Sequence, residues 1–216
     1  MNTYKKNLKL LTENHVYSKD MEHDACGVGV IASTEGKKSR EIVEYGIEAL
    51  KAVWHRGAVD ADGKTGDGAG IHVEIPKDFF IEKIQVTGHD YDNSEICVGM
   101  IFLPRNDYAS QENCKTIVES ELTKNDFSIY GWRQVPVNPK ILGEKAFQTM
   151  PEIIQVLFKS NNPNLNNKNL ERKIYETRKK IENKAFELSL NNFYICSISS
   201  KSIIYKGLYL AESLSD

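Results

Sequence analysis

Alternation of apolar and polar residues marks two candidate strands in the first third of the chain. Residues 26–33 read CGVGVIAS and place Val28 and Val30 on one face, and residues 69–76 alternate in the same way. A period of two is typical of a strand that buries one face. We therefore predict a strand over each of these segments.

The segment between these two candidate strands has the period of a helix. In segment 40–54, the apolar residues at i, i+4, i+7 and i+11 are Val43, Ile47, Leu50 and Trp54. This spacing places them on one face of a helix. The same reasoning predicts further strands over 94–104, 127–137 and 152–160, helices over 107–123, 140–149 and 168–187, and a hairpin over 193–210 that turns at 199–201.

These elements are mixed along the chain but do not alternate strictly. A doubly wound sheet requires regular strand–helix alternation, so stacked, mainly antiparallel sheets with helices outside fit better. The pattern therefore predicts an α+β fold.

Composition narrows the possible partners. The chain has 216 residues, a net charge of −2 and a sequence pI of about 6.2, which does not favour nucleic acid or an anionic membrane. The sequence contains no apolar run of about 18 residues, the length a membrane span needs. Residues 1–25 are polar and lack the apolar core of a signal peptide. We predict a cytoplasmic protein with neither nucleic acid nor membrane as partner.

Four cysteines are widely spaced and form no CxxC pair, which disfavours a zinc site or a disulfide framework. Three of them stand in apolar surroundings and are predicted to be core residues: Cys97, Cys114 and Cys196. The fourth, Cys26, stands between a polar leader and Gly27.

The segment 55–70, HRGAVDADGKTGDGAG, contains five glycines. A phosphate-binding P-loop needs GxxxxGK[ST] before a helix. Here position 58 is alanine and a predicted strand follows, so that interpretation is rejected. Two alternatives stay open. The segment is a flexible surface turn, or it is a loop whose backbone bends tightly or approaches a neighbour closely.

Cys26 also has two interpretations. It is a small buried residue at the start of a strand, or it is a nucleophile released by hydrolysis after Ala25. A terminal α-amine has a pKa of about 7.7–8.0 and can accept the thiol proton near neutral pH. One residue would then supply both nucleophile and base. Gly27 leaves space for a substrate beside the sulfur.

The segments DACGVGVIAS and GIEALKAVWHRGAVDADGKTGDGAGIHVEIP resemble the start of the glutaminase domain of glutamate synthases. The resemblance implies a class II glutamine amidotransferase with the four-layer αββα sandwich of N-terminal nucleophile hydrolases. Residues 1–25 would be a propeptide, and 26–216 the N-terminal portion of the domain. Cys26 would attack glutamine through a thioester. Arg56 would hold the nucleophile, while His55 would be structural.

The resemblance also implies partners outside this chain. Ammonia would pass to a synthase region that aminates and reduces 2-oxoglutarate with FMN and an iron–sulfur cluster. No cofactor is expected in this chain itself. The reducing partner would be a small electron-transfer subunit or ferredoxin, and the sequence leaves the donor open.

The chain departs from the family in lacking an RFSTNT-like segment and any Asn-Gly dipeptide for the oxyanion hole. Removing one oxyanion donor costs about 2.7–4 kcal/mol of transition-state stabilisation. We therefore expect an incomplete sandwich, with uncovered sheet edges and weak or no activity in isolation. The alternative is a non-catalytic interaction module that keeps the fold. Another class II amidotransferase, of the glucosamine-phosphate or asparagine-synthesising type, is disfavoured by the KTGDGAG run.

Overall fold

The computed structural model describes residues 2–14, 26–54 and 57–215. The helices of these ranges are α1 (Asn2–Asn14), α2 (Arg40–Ala52), α3 (Lys77–Val86), α4 (Tyr108–Lys124), α5 (Glu144–Thr149) and α6 (Asn167–Glu187). The strands are β1 (Ala69–Glu74), β2 (Cys97–Leu103), β3 (Phe127–Gln134), β4 (Glu152–Ser160), β5 (Tyr194–Ser199) and β6 (Ser202–Gly207). Short 3₁₀ helices span Pro139–Ile141 and Ala211–Ser215.

Two antiparallel sheets organise the fold. One has four strands in the order β3-β4-β2-β5, and the other pairs β1 with β6. Helices α4 and α6 cover one face of the four-stranded sheet, where the core includes Ile101, Leu122, Phe158 and Ile174. The α+β prediction is confirmed.

The opposite face of the four-stranded sheet packs against α3 and the two-stranded sheet. Phe80 and Ile84 of α3 share a second core with Val98 of β2, Leu157 of β4 and Ile203 of β6. Helix α2 packs in turn against β1. The described residues therefore form helix, sheet, sheet and helix layers, with only two strands in the second sheet.

The predicted hairpin at the end of the chain is present, but its two strands belong to different sheets. Strand β5 pairs with β2, whereas β6 pairs with β1. Glu171 of α6 holds the turn by accepting hydrogen bonds from the Ser200 amide and hydroxyl, both at 2.7 Å, and from the Ser199 hydroxyl. This turn passes the chain from one sheet to the other.

The strand predicted over 26–33 is wrong. This segment has no regular secondary structure, and Val28 and Val30 are 90% and 87% exposed. Alternation makes a strand possible, but a strand also needs a neighbour to take its backbone hydrogen bonds. No described residue pairs with this segment, so its pattern alone does not order it.

Trp54 was also placed incorrectly. Helix α2 is confirmed and buries Ile47, but it ends at Ala52, with Val53 as its C-cap. Trp54 therefore leaves the helical face and is 66% exposed.

Two helices have no counterpart in the sequence predictions. Helix α1 lies within the polar leader, and α3 follows β1 directly. The signals for α3 were Pro76 at its start and the buried pair Phe80 and Ile84, four residues apart. Among the helices of the described ranges, none has both the length and the apolar character of a membrane span.

Candidate active site

A large open cleft, about 3240 Å³ in volume, lies between α2 with the β1–β6 sheet on one side and the end of the four-stranded sheet on the other. Met100 and Phe102 of β2 and Tyr205 of β6 are among its apolar lining residues. The segment that begins at Cys26 forms part of its wall. The volume of the cleft exceeds the about 300–1,000 Å³ of a typical small-molecule pocket, so a small ligand would occupy only one part of it.

Cys26 differs from the other cysteines in its exposure. Its side chain is exposed at the cleft, whereas the remaining three are buried, as predicted. Burial raises the pKa of Cys114 to about 11, and it also raises the pKa of Cys97 and Cys196. These three thiols stay protonated at neutral pH and are inert. Of the four cysteines, Cys26 has the access that a nucleophile needs.

Arg56 and His55 lie outside the described residues, so their roles stay predictions. Their neighbours are described. Trp54 and Gly57 both line the cleft, and the Gly57 amide donates a 3.0 Å hydrogen bond to the Trp54 carbonyl. Trp54 and Gly57 are therefore held close together at the cleft.

After this turn, residues 57–68 form a compact loop, here called the glycine loop. Val59 and Gly66 make an antiparallel bridge, and the Asp60 amide donates to the Thr65 carbonyl at 2.9 Å. Gly63 closes the tip with φ of +68°, a conformation that favours glycine, while its amide donates to the Asp60 carbonyl.

Asp62 organises the tip of the glycine loop. Its Oδ1 accepts from the amides of Lys64 at 2.9 Å and Thr65 at 2.7 Å, and its Oδ2 accepts from the Thr65 hydroxyl at 2.6 Å. These bonds, led by the one from the hydroxyl, hold the pKa of Asp62 well below its usual range. The sequence analysis did not select Asp62. An aspartate whose side chain accepts hydrogen bonds from the amides two and three residues further along the chain is, however, typical of a turn.

The glycine loop contacts two other parts of the fold. Lys145 of α5 pairs with Asp60 at 2.5 Å. Gly66 lies so close to the backbone of Tyr209 that an added Cβ would sit 2.6 Å from the Tyr209 carbonyl oxygen. Of the two interpretations left open, the one with tight bending and close approach is confirmed.

Comparisons with known proteins agree with this architecture. The model of the family described as class-II glutamine amidotransferases matches residues 26–216. The chain is 52% identical over 211 residues to the glutamate synthase [NADPH] large chain of Azospirillum brasilense, covering 98% of this chain and 14% of that protein.

Two further relatives are ferredoxin-dependent. The enzyme of Pyropia yezoensis is 37% identical over 207 residues, which is 93% of this chain and 13% of that protein. Ferredoxin-dependent glutamate synthase 1 of Arabidopsis thaliana is 39% identical over 195 residues, which is 89% of this chain and 12% of that protein. The chain therefore spans between about one eighth and one seventh of the length of these curated relatives.

Proposed function

The chain belongs to the class-II glutamine amidotransferases, and from that membership we propose that it is the glutaminase portion of a glutamate synthase. It converts glutamine and water to glutamate and ammonia, with Cys26 as the nucleophile. One observation carries this proposal: the family match starts at Cys26, the exposed cysteine on the wall of the cleft.

The leader of residues 1–25 is a propeptide in this proposal, and residues 26–216 are glutaminase domain. Hydrolysis of the Ala25–Cys26 bond gives Cys26 a free α-amine. That amine accepts the thiol proton, and the sulfur attacks the side-chain amide carbon of glutamine. The proton is then delivered to the departing nitrogen, which leaves as ammonia. Water hydrolyses the glutamyl thioester and regenerates the thiol.

Arg56 is proposed to hold the nucleophile in its reactive orientation. Its place in the sequence supports this role, because it lies between Trp54 and Gly57, which both line the same cleft as Cys26. A guanidinium near the sulfur also favours the thiolate over the thiol.

The ammonia is proposed to serve a synthase region beyond this chain, where 2-oxoglutarate is aminated and reduced with FMN and an iron–sulfur cluster. The cysteines of this chain do not suit an iron–sulfur cluster. Two of them, Cys97 and Cys114, are buried in one apolar core, and Cys196 is buried in the other. The relatives are named for NADPH and for ferredoxin, and either donor fits the proposal. The cytoplasm is the proposed compartment.

Intact mass and N-terminal sequencing of the complete protein test the proposal first. We expect an N-terminus at Cys26 and hydrolysis of glutamine that Cys26→Ala abolishes. Cys114→Ala serves as the control and keeps its activity, because Cys114 lies on the buried face of α4, away from the cleft. A folded protein that retains its leader and releases no ammonia would instead support the non-catalytic interaction module.

A further inference from the structure

We propose that a second pocket, on the face of the four-stranded sheet opposite the cleft, binds a free α-amino acid with an apolar side chain. The pocket has a volume of about 420 Å³ and lies between the first half of α4 and the ends of β3 and β4. This volume is within the about 300–1,000 Å³ of typical small-molecule pockets. The proposal is independent of the glutaminase chemistry, because the pocket is separate from the cleft that Cys26 lines.

Alternation along β4 separates the two cavities. Glu152 and Ile154 line the pocket, and Ile154 belongs to the core that α4 and α6 cover. Ile153 lines the cleft and packs against the other core. Because neighbouring residues of a strand point to opposite faces, the pocket and the cleft lie on opposite faces of the sheet. Of the described residues that line the pocket, only Arg105 also lines the cleft.

The first indication of a ligand is an acceptor without a donor. Gln111 of α4 lines the pocket and is only 8% exposed. Its Nε2 donates to the carbonyls of Pro104 at 2.7 Å and Arg105 at 3.2 Å. These bonds fix the amide, because a flipped amide would place its oxygen against both carbonyls. Gln111 Oε1 accepts from none of the residues that the structure describes. Polar atoms of side chains this buried are usually paired, so Oε1 is available to an N–H donor of a ligand.

The second indication is a pair of opposite charges that line the pocket without forming an ion pair. The Glu152 carboxylate accepts from Gln134 Nε2 and pairs with no described cation. The Arg105 guanidinium donates to the Phe147 carbonyl at 3.4 Å and pairs with no carboxylate in the described ranges. An α-amino acid carries both complementary charges. Its ammonium would donate to Glu152 and Gln111, and its carboxylate would accept from Arg105.

Two further cations line the pocket and differ in their availability. Lys115 of α4 pairs with Glu112 at 2.9 Å, and the Glu112 side chain is 71% exposed. Such an exposed pair is weak, so Lys115 can also bind the carboxylate of the ligand. Arg133 is engaged on the other face of the sheet, where it donates to Gln155 at 2.8 Å and lies 5.1 Å from the centre of the Phe79 ring. We therefore assign it no contact with the ligand.

The apolar part of the lining suits an apolar side chain. Trp132 and Ile154 line the pocket and pack against the core beneath α4. The indole of Trp132 is held in place because its Nε1 donates to Glu119 at 2.6 Å. A ligand that places its charged groups at Glu152 and Arg105 can lay its side chain against these two residues, as leucine would.

Fluorescence of Trp132 measures binding in the 216-residue chain. The chain has two tryptophans, and Trp54→Phe leaves Trp132 as the only one. The probes are L-leucine, isocaproate, which lacks the ammonium, and isoamylamine, which lacks the carboxylate. We expect saturable binding of L-leucine and at least about 10-fold weaker binding of the other two, because each loses one charge-assisted contact.

Three variants in the same background test the contacts. Glu152→Gln should weaken the binding of L-leucine about 10-fold, because it removes the charge opposite the ammonium. Glu112→Gln removes the competing partner of Lys115 and should strengthen binding about two- to fivefold. A damaged fold would not produce that increase. Glu187→Gln, exposed on α6, makes the same chemical change and should leave the affinity unchanged.

Each other outcome contradicts the proposal. The absence of a saturable change with L-leucine would reject the site. Isocaproate that binds as tightly as L-leucine would show an anion site, and isoamylamine that does so would show a cation site. Either result would overturn the assignment to an amino acid, as would an unchanged affinity in Glu152→Gln.

Discussion

Replacing Glu171 with alanine should destabilise the fold at the turn that joins its two sheets. Glu171 accepts from the Ser200 amide and hydroxyl at 2.7 Å each, and Ser200 is only 2% exposed. Leaving a buried donor without its partner costs about 1–3 kcal/mol. With the Ser199 hydroxyl included, three donors give an upper bound of about 9 kcal/mol. Rotation of the two hydroxyls to other acceptors and water entering from the half-exposed side of Glu171 reduce the expected loss to about 2–3 kcal/mol.

Urea unfolding of the chain, followed by circular dichroism, measures this loss as a lower midpoint at an unchanged slope. Glu176→Ala is the matched control on the same helix. Its partner is Arg172 in an exposed i,i+4 pair at 2.9 Å, so it should cost at most about 0.5 kcal/mol. Both variants make the same change in helix propensity. The reasoning is refuted if the two variants lose the same unfolding free energy within about 0.5 kcal/mol.

Three further predictions use other parts of the structure. Iodoacetamide should label Cys26 before the buried cysteines, as peptide mass mapping measures, and equal labelling of the folded chain would contradict the assigned burial. Gly99→Ala should lower the free energy of unfolding in urea by about 1–3 kcal/mol, because the added Cβ would lie 2.7 Å from Val156 Cγ1. An unchanged midpoint would contradict this prediction and show that the surrounding side chains accommodate the methyl group. Lys159 leads the groups that lower the pKa of Asp92, so this carboxylate stabilises the fold above its unfolded pKa of about 3.9 and stops doing so as pH falls through the lower folded value. In Asp92→Asn, the free energy of unfolding should therefore decrease less steeply below about pH 4 than in the wild type. The same pH dependence in both proteins would show that Asp92 does not contribute to it.

The elements that were predicted correctly from the sequence are those whose apolar residues are buried between neighbouring elements on both sides. Strands β2 and β4 are apolar runs, and they lie at the centre of the four-stranded sheet with neighbours on both sides. Residues 26–33 have an equally clear alternation, yet they have no pairing partner among the described residues. Whether an alternating segment forms a strand therefore depends on a neighbouring strand that can pair with it, and the local sequence pattern does not specify that neighbour.

The candidate site was predicted in part. Exposure of Cys26 and burial of the other three cysteines agree with their sequence surroundings. The anchoring of the glycine loop was not predicted, because Thr65 meets Ala146 from a distance of 81 positions along the chain. Only the tertiary fold brings these residues together.

The turn between β5 and β6 joins the two sheets next to the cleft. The cleft lining includes Tyr194 and the chain from Ile204 onward, but not the turn residues 199–203, so the opening begins beyond the turn. From Ser199 to Tyr194 the strand extends about 16 Å at 3.3 Å per residue. A rotation of about 5° at the turn would therefore change the separation of the sheets by about 1.4 Å at that distance. The hydrogen bonds from Ser199 and Ser200 to Glu171 oppose such a rotation, so this turn helps to keep the two sheets, and with them the width of the cleft, constant.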